Sequence, residues 1–363
     1  MPHRPAERLR AVPLHPADPD AGSDAPAEPI RANLSAIEAA GPALFVGSDE
    51  GARIERLLRT DDSAGYGRHR SYALASFFDL PAGSDGEVDV EGLAVDGGWL
   101  WVTGSHSLAR RKPKPDERDA AAALARLTDV KREPNRYLLG RIPLAGADPE
   151  PVRRDGPRTA ACVKMGDRRN ALAKALKHDA HIGRFLKVPA KENGFDVEGL
   201  AVRGDRVFLG LRGPVLRGWA CVLELHPADA GNGRLDITPI GAAGEPYRKH
   251  FLDLDGLGVR ELAFDGDDLL ILAGPTMDLD GPVIVYRWSG AADVGDATII
   301  PRDRLTRTLD LPHGTGFDHA EGMALLATPE GPRLLVVYDN PGAGRLHADG
   351  SGVDADLFAL PDR

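Results

Sequence analysis

Five glutamates punctuate this 363-residue chain: Glu38, Glu91, Glu198, Glu261 and Glu321. Glu91, Glu198 and Glu321 each precede a Gly-(Leu/Met)-Ala segment, and Asp89 and Asp196 stand two residues before their glutamates. In an extended strand, residues two apart face the same side, so each Asp–Glu pair presents two carboxyls together. Carboxyls gathered in this way suit a hard cation such as Ca²⁺, with Mg²⁺ as the alternative, bound through oxygen alone. They also suit acid–base work, in which one carboxyl keeps its proton and another stays ionised.

Other residues could join that chemistry. Ser105-His106-Ser107 places one imidazole between two hydroxyls, a general base or a metal ligand by type. Arg110, Arg111 and Lys112 follow at once, the densest cationic run in the chain, and would hold a phosphate or other anion. Arg212 and Arg260 are the internal alternative to a cation, since an arginine neutralises clustered carboxylates just as an ion does.

The glutamates are spaced by 53, 107, 63 and 60 residues, and each belongs to a repeated unit. A short apolar strand, a polar turn and a second apolar strand recur at 89–103, 196–211, 259–272 and 318–337, with a weaker copy at 35–46. Apolar runs of five to seven residues bounded by Gly/Asp turns are strands, and such turns are hairpin chemistry. Further strand candidates follow at Arg136–Pro143, Trp219–His226, Pro282–Trp288 and Asp356–Leu360. About four strands per ~55 residues matches a propeller blade.

The expected fold is therefore all-β: a single β-propeller of five four-stranded blades over 33–363, after an N-terminal segment 1–32 that is partly disordered or closes the ring. The long 107-residue interval makes six blades the alternative count. Two helical inserts fill that interval better, near 108–133 and 164–183. Asp116–Lys131 sets Leu124, Leu127 and Val130 at helical spacing, and Asp167–His181 sets Leu172 and Leu176 four apart. The first strand of each propeller blade lines the central channel. All five glutamates are then expected at one channel mouth, with the glycine after Glu91, Glu198 and Glu321 permitting close approach at the axis. Second strands run back to the same mouth and end at Asp49, Ser105, Arg212, Thr276 and Asp339.

Composition narrows the classes. Gly and Pro, 42 and 29 residues, make up a fifth of the chain, above the usual share but below that of low-complexity chains. No apolar run approaches the ~20 residues of a membrane span, and the N-terminal stretch lacks the apolar core of a secretory signal. Cys162 and Cys221 make neither a disulfide framework nor a zinc motif, so a cytoplasmic location is expected. A net charge of −10 argues against nucleic acid or an anionic membrane as partner.

The phrases Asp89-Val90-Glu91-Gly92-Leu93-Ala94, Asp196-Val197-Glu198-Gly199-Leu200-Ala201 and Glu321-Gly322-Met323-Ala324 resemble those of an uncharacterised bacterial propeller family. That family is similar to the esterase-like domain associated with some phytases, and the resemblance covers about 33–360. More distantly, Glu198–Gly210 resembles calcium-activated nucleotidases, five-bladed propellers with a carboxylate-held Ca²⁺ in the channel. The residues at the mouth, with this fold, lead to the expectation of a divalent-cation-dependent hydrolase of a small anionic ester, a phosphoester first. The metal would sit on Glu38, Glu91, Glu198, Glu261 and Glu321 with Asp89 and Asp196. His106, Glu91 and Glu198 would act on the substrate, and Ser105, Arg110, Arg111, Lys112 and Arg212 would bind it. A non-catalytic propeller that binds a protein, peptide or ligand is the alternative, and a lactonase-like hydrolase is the third reading.

Overall fold

A computed structural model describes residues 5–16, 27–60, 65–114, 116, 118–277 and 279–361. The expected loose segment at 1–32 lies partly outside these residues. The apolar runs do form strands, grouped as five successive sets of antiparallel hairpins, here sheets I to V. Sheet I holds Leu34–Ala40, Ala43–Ser48, Arg53–Arg59 and Tyr66–Ala73. Sheet II holds Val90–Asp96, Trp99–Gly104, Leu139–Ala145 and Ala161–Val163. Sheet III holds Asp196–Arg203, Arg206–Leu216, Trp219–Leu225 and Arg248–Asp253, with Thr298–Ile300 added in parallel. Sheet IV holds Gly258–Asp265, Asp268–Gly274, Val283–Trp288 and Leu305–Leu311. Sheet V holds His319–Thr328, Gly331–Asp339 and Val353–Ala359, and its outer strand is Arg8–Leu14 from the chain start. Leu14 also bridges in parallel to Tyr66, which joins sheets V and I into one eight-stranded sheet.

The first strands of the five sheets touch their neighbours in chain order, and the last touches the first. This closed cycle is a propeller arrangement, with one apolar layer between each pair of neighbouring sheets. Phe45 and Ile54 of sheet I pack with Val90 and Leu100 of sheet II. Trp101 and Leu139 of sheet II pack with Leu200 and Leu223 of sheet III. Phe208 of sheet III meets Tyr286 of sheet IV, Leu270 of IV meets Val336 of V, and Val337 of V meets Leu44 of I. Each layer buries fully enclosed side chains worth ~1.5–3 kcal/mol apiece by transfer, before the entropy of ordering them.

The glycine after the repeated glutamate serves close packing between sheets. A Cβ on Gly92 would stand 2.6 Å from Cβ of Leu200 in sheet III, and one on Gly199 would stand 3.2 Å from the Glu261 carbonyl carbon in sheet IV. A Cβ on Gly322 would stand 3.2 Å from the Ile37 nitrogen in sheet I.

The 107-residue interval supplies sheet II's outer strands and both inserts. The first helix is Ala120–Thr128, capped by Asp119, whose carboxylate accepts from Ala121 N–H at 2.9 Å. Its leucines face solvent: Leu124 is 65% exposed and Leu127 is 41% exposed. Val130 lies beyond the helix, in a two-stranded ribbon with Ala109–Arg110. The second helix, Ala171–Leu176, is shorter than the expected Asp167–His181, and it buries Leu172 and Leu176 completely against sheets II and III. The strand expected from Arg136 starts at Leu139, because Pro134–Tyr137 forms a 3₁₀ turn. No helix among the described residues is long and apolar enough to cross a membrane.

Candidate functional site at the channel mouth

Each first strand carries a one-residue bulge at the same height. Pairing with the second strand skips Ser35, Glu91, Glu198, Arg260 and Glu321. A bulged residue leaves the ladder, and its side chain is re-aimed. The equivalent positions around the axis are therefore Ser, Glu, Glu, Arg and Glu, not five glutamates.

Glu261 falls one residue late. It pairs with Leu272 in the ladder, and its Oε1 accepts from the N–H groups of Leu262 at 2.9 Å and Leu200 at 3.1 Å. Glu38 falls three residues late and accepts backbone N–H bonds from Val95 and Ala39. Both tie one sheet to the next, and neither lines the mouth cavity. Burial pushes the Glu38 carboxyl up to about 8 and the Glu261 carboxyl well above the usual range.

The mouth holds a cavity of about 470 Å³. Glu91, Glu198 and Glu321 line it, with Asp89 and Asp196 from the starts of their strands and Asp49, Arg212 and Asp339 from the second-strand ends. Arg136 and Lys191 close its rim, together with Arg110, Arg111 and Lys112 from the first insert. A second cavity of about 370 Å³ shares Lys191, Arg212, Glu321 and Asp339 with the first and adds Arg260, Asp280, His313 and His319.

Three arginines thread the carboxyls. Arg212 Nη1 lies 2.8 Å from Glu198 Oε1 and 4.0 Å from Asp196 Oδ2. Arg260 Nη1 lies 3.2 Å from Glu198 Oε2 and also pairs with Glu321. Arg136 lies 3.1 Å from Asp89 Oδ2 and also pairs with Glu87. Glu198 is thus fastened between two guanidiniums on adjacent sheets.

Glu91 is different. Among the described residues no hydrogen bond or ion pair reaches its carboxyl. Burial, then the charges of Asp89, Glu198, Glu321 and Asp196, hold it well above the usual carboxylate range. Asp49 Oδ1 is buried without a partner, and burial plus Asp339, Asp89 and Glu321 push Asp49 up to about 8. Burial also lifts Asp196 to about 8 and Glu321 to about 7, and raises Asp89 and Asp339. Each proton these groups keep removes a negative charge from the mouth.

The remaining expected residues divide. Arg110 is tied to Glu192 and Leu127 O, and Arg111 to Asp129, at the cavity rim. Lys112 reaches the same rim. Ser105 is buried behind the cavity wall, where its hydroxyl bonds Asp89 and Ser107. His106 does not line the cavity. Its backbone turns at φ 56° and carries the ring inward. Nδ1 then meets Gly104 O at 2.8 Å, Nε2 meets Asn170 Nδ2 at 2.7 Å, and Tyr137 lies edge-on at 5.8 Å. Both ring nitrogens are engaged, and burial lowers the imidazole to about 4, so it is a neutral structural group. Among the described residues, no three His, Cys, Asp or Glu side chains stand together as ligands for a metal. Arginine fills one ring position.

Arg136 and Lys191 lie outside the residues expected at the mouth, whereas Asp49, Arg260 and Asp339 are expected there. Alignment on the small apolar residue before the bulge (Leu34, Val90, Val197, Val259, Ala320) would have brought Arg260 into register.

A family profile described as "Protein of unknown function (DUF3616)" matches residues 33–356. No curated protein matches the chain. Among solved structures, Myxococcus xanthus glutaminyl cyclase is similar at 11% identity, covering 99% of this chain and 99% of that one, with a TM-score of 0.44. A putative glucose dehydrogenase from Thermus thermophilus is similar at 16% identity, covering 90% and 96%, with a TM-score of 0.33. The Malassezia sympodialis allergen Mala s 1 is similar at 13% identity, covering 90% and 78%, with a TM-score of 0.36.

Proposed function

The chain belongs to the DUF3616 family of proteins of unknown function, and from its own site we propose that it is a hydrolase of a small anionic ester, a phosphoester first. One observation carries this reading. A single cavity holds Glu91, which has no ion-pair partner among the described residues and whose carboxyl burial and like charges hold well above the usual range, beside Glu198, fastened between Arg212 and Arg260. A carboxyl raised by burial beside one held in ion pairs divides acid work from charge stabilisation.

Glu91 gives its proton to the leaving oxygen as the ester bond breaks. Lys191, Arg136 and Arg212 receive the anionic group, and their charge is felt most while neighbouring carboxyls are protonated. Glu198 holds the two arginines in place across the sheet III–IV boundary. With one bulged strand per sheet, the blade count in this reading is five. No step requires a divalent cation. If one binds, Asp49, Glu91 and Asp339, mouth carboxyls with no ion pair among the described residues, would hold it, and it would supply Lewis acidity there.

The test is a panel of nitrophenyl phosphate, nitrophenyl acetate and a simple lactone, run with chelator and with added Ca²⁺ or Mg²⁺. Turnover of the phosphate supports the proposal, and turnover of the lactone alone moves it to the third expected chemistry. No turnover of any ester, with or without metal, overturns it in favour of a binding propeller.

A further inference from the structure

The reading above supplies an acid and an anion cradle but no base for water. His319 opens the first strand of sheet V, two residues before the bulged Glu321, which is the place Asp89 and Asp196 hold in sheets II and III. It stands opposite Asp339 in the ladder and lines the second cavity of the mouth. Its Nε2 lies 3.2 Å from Asp280 Oδ1, and the same oxygen accepts the Gly316 N–H at 2.9 Å. Asp280 is thereby fixed, and it fixes the ring. Nε2 carries the proton toward the carboxylate, and Nδ1 keeps its lone pair. Among the described residues Nδ1 has no hydrogen-bond partner. His319 is about a third exposed, so water reaches it.

We propose that His319, oriented by Asp280, is the base that activates water for the hydrolysis, an inference that rests on the hydrolytic reading above. The placement sets acid and base on the two sides of a shared anion cradle. Glu91 lines only the first cavity and His319 only the second, while Lys191 and Arg212 line both. An anionic phosphoryl group held by Lys191 and Arg212 has water on the His319 side and its ester oxygen on the Glu91 side. Nδ1 takes a proton from water as the water oxygen bonds to phosphorus. The phosphorus–ester oxygen bond breaks on the far side, the electron pair leaves with the oxygen, and Glu91 protonates it. The products are inorganic phosphate and an alcohol, and no oxidant or reductant takes part. Asp280 is a positioning residue, since it acts only through the imidazole.

The experiment is the pH profile of kcat/KM for nitrophenyl phosphate with wild type, His319→Gln, Asp280→Asn and Glu91→Gln. Asp280, Asp339, Glu321, His313, Lys191 and Arg260 face the same cavity. The wild type shows an acid limb. In His319→Gln that limb disappears and kcat/KM falls ~10²–10⁴-fold, the usual weight of a general base. Asp280→Asn gives a smaller fall, in kcat and not in KM, because the ring loses the carboxylate that orients it. An unchanged rate and limb in His319→Gln, with Glu91→Gln inactive, overturns this assignment and leaves the hydrolase standing. No turnover in the wild type overturns both.

Discussion

Arg260 Nη1 stands 3.2 Å from Glu198 Oε2, and the two residues occupy the same bulge on neighbouring strands. An arginine has taken one place in a ring otherwise held by three glutamates and a serine, and its charge is spent on the glutamates either side. Removing one partner of a buried pair leaves the other charge uncompensated, at ~3–5 kcal/mol. Arg260→Met is expected to lose about 3 kcal/mol in urea unfolding, because Glu198 and Glu321 both lose a partner. A loss under 1 kcal/mol would show that the pair does not hold sheets III, IV and V together.

Glu91 and Glu198 share a phrase in the sequence but differ in partners, so the same substitution should divide them. Glu91→Gln replaces a carboxyl that must take up a proton on folding by an amide that need not, so its unfolding free energy at neutral pH should rise above that of wild type. Glu198→Gln strands Arg212 and Arg260 and should cost several kcal/mol. Equal losses in the two variants would contradict the protonation difference.

The raised carboxyls predict the direction of pH dependence. Asp49 and Asp196 at about 8 and Glu321 at about 7 keep protons that the unfolded chain releases near pH 4. Between about pH 4 and 8 the native state binds more protons, so stability falls as pH rises through that window. His106 works the other way: held neutral to about pH 4, it costs stability as pH drops below ~6.5, where the unfolded imidazole charges. Three carboxyls outweigh one imidazole, so melting temperature should be higher at pH 6 than at pH 9. The reverse order would mean the mouth carboxyls are ionised at neutral pH.

Gly199 lies where sheets III and IV pack closely. A Cβ there would stand 2.9 Å from Leu262 Cγ and 3.2 Å from backbone atoms of Glu261 and Leu262. Gly199→Ala should cost ~1–3 kcal/mol by overpacking, measured by chemical denaturation. Gly204→Ala is not a matched control, since Gly204 has φ +63° and its penalty is backbone strain in open space.

The repeat, the hairpin turns and the inter-sheet glycines were legible because strand periodicity and Gly chemistry are local. The same is true of the second-strand ends, which bring Asp49, Arg212 and Asp339 to the mouth. The ring's composition was not legible. A bulge adds one residue without changing the strand's hydrophobic pattern, so Glu261 looks like a copy of Glu198 while Arg260 holds the place. His106 misled for a related reason: a positive φ reverses the side chain's direction, and nothing in Ser-His-Ser announces it. The leucines of the first insert have helical spacing, yet spacing alone does not say what covers them, and Leu124 faces solvent.

The central claim is that Glu91 is the acid of a hydrolytic mouth. The most direct measurement is turnover of nitrophenyl phosphate at pH 6.5 by chelator-stripped wild type and by Glu91→Gln, each shown to be folded by its melting curve. The account predicts turnover in the wild type and a fall of at least ~10²-fold in the variant. Equal turnover in both, or none in the wild type, would contradict it.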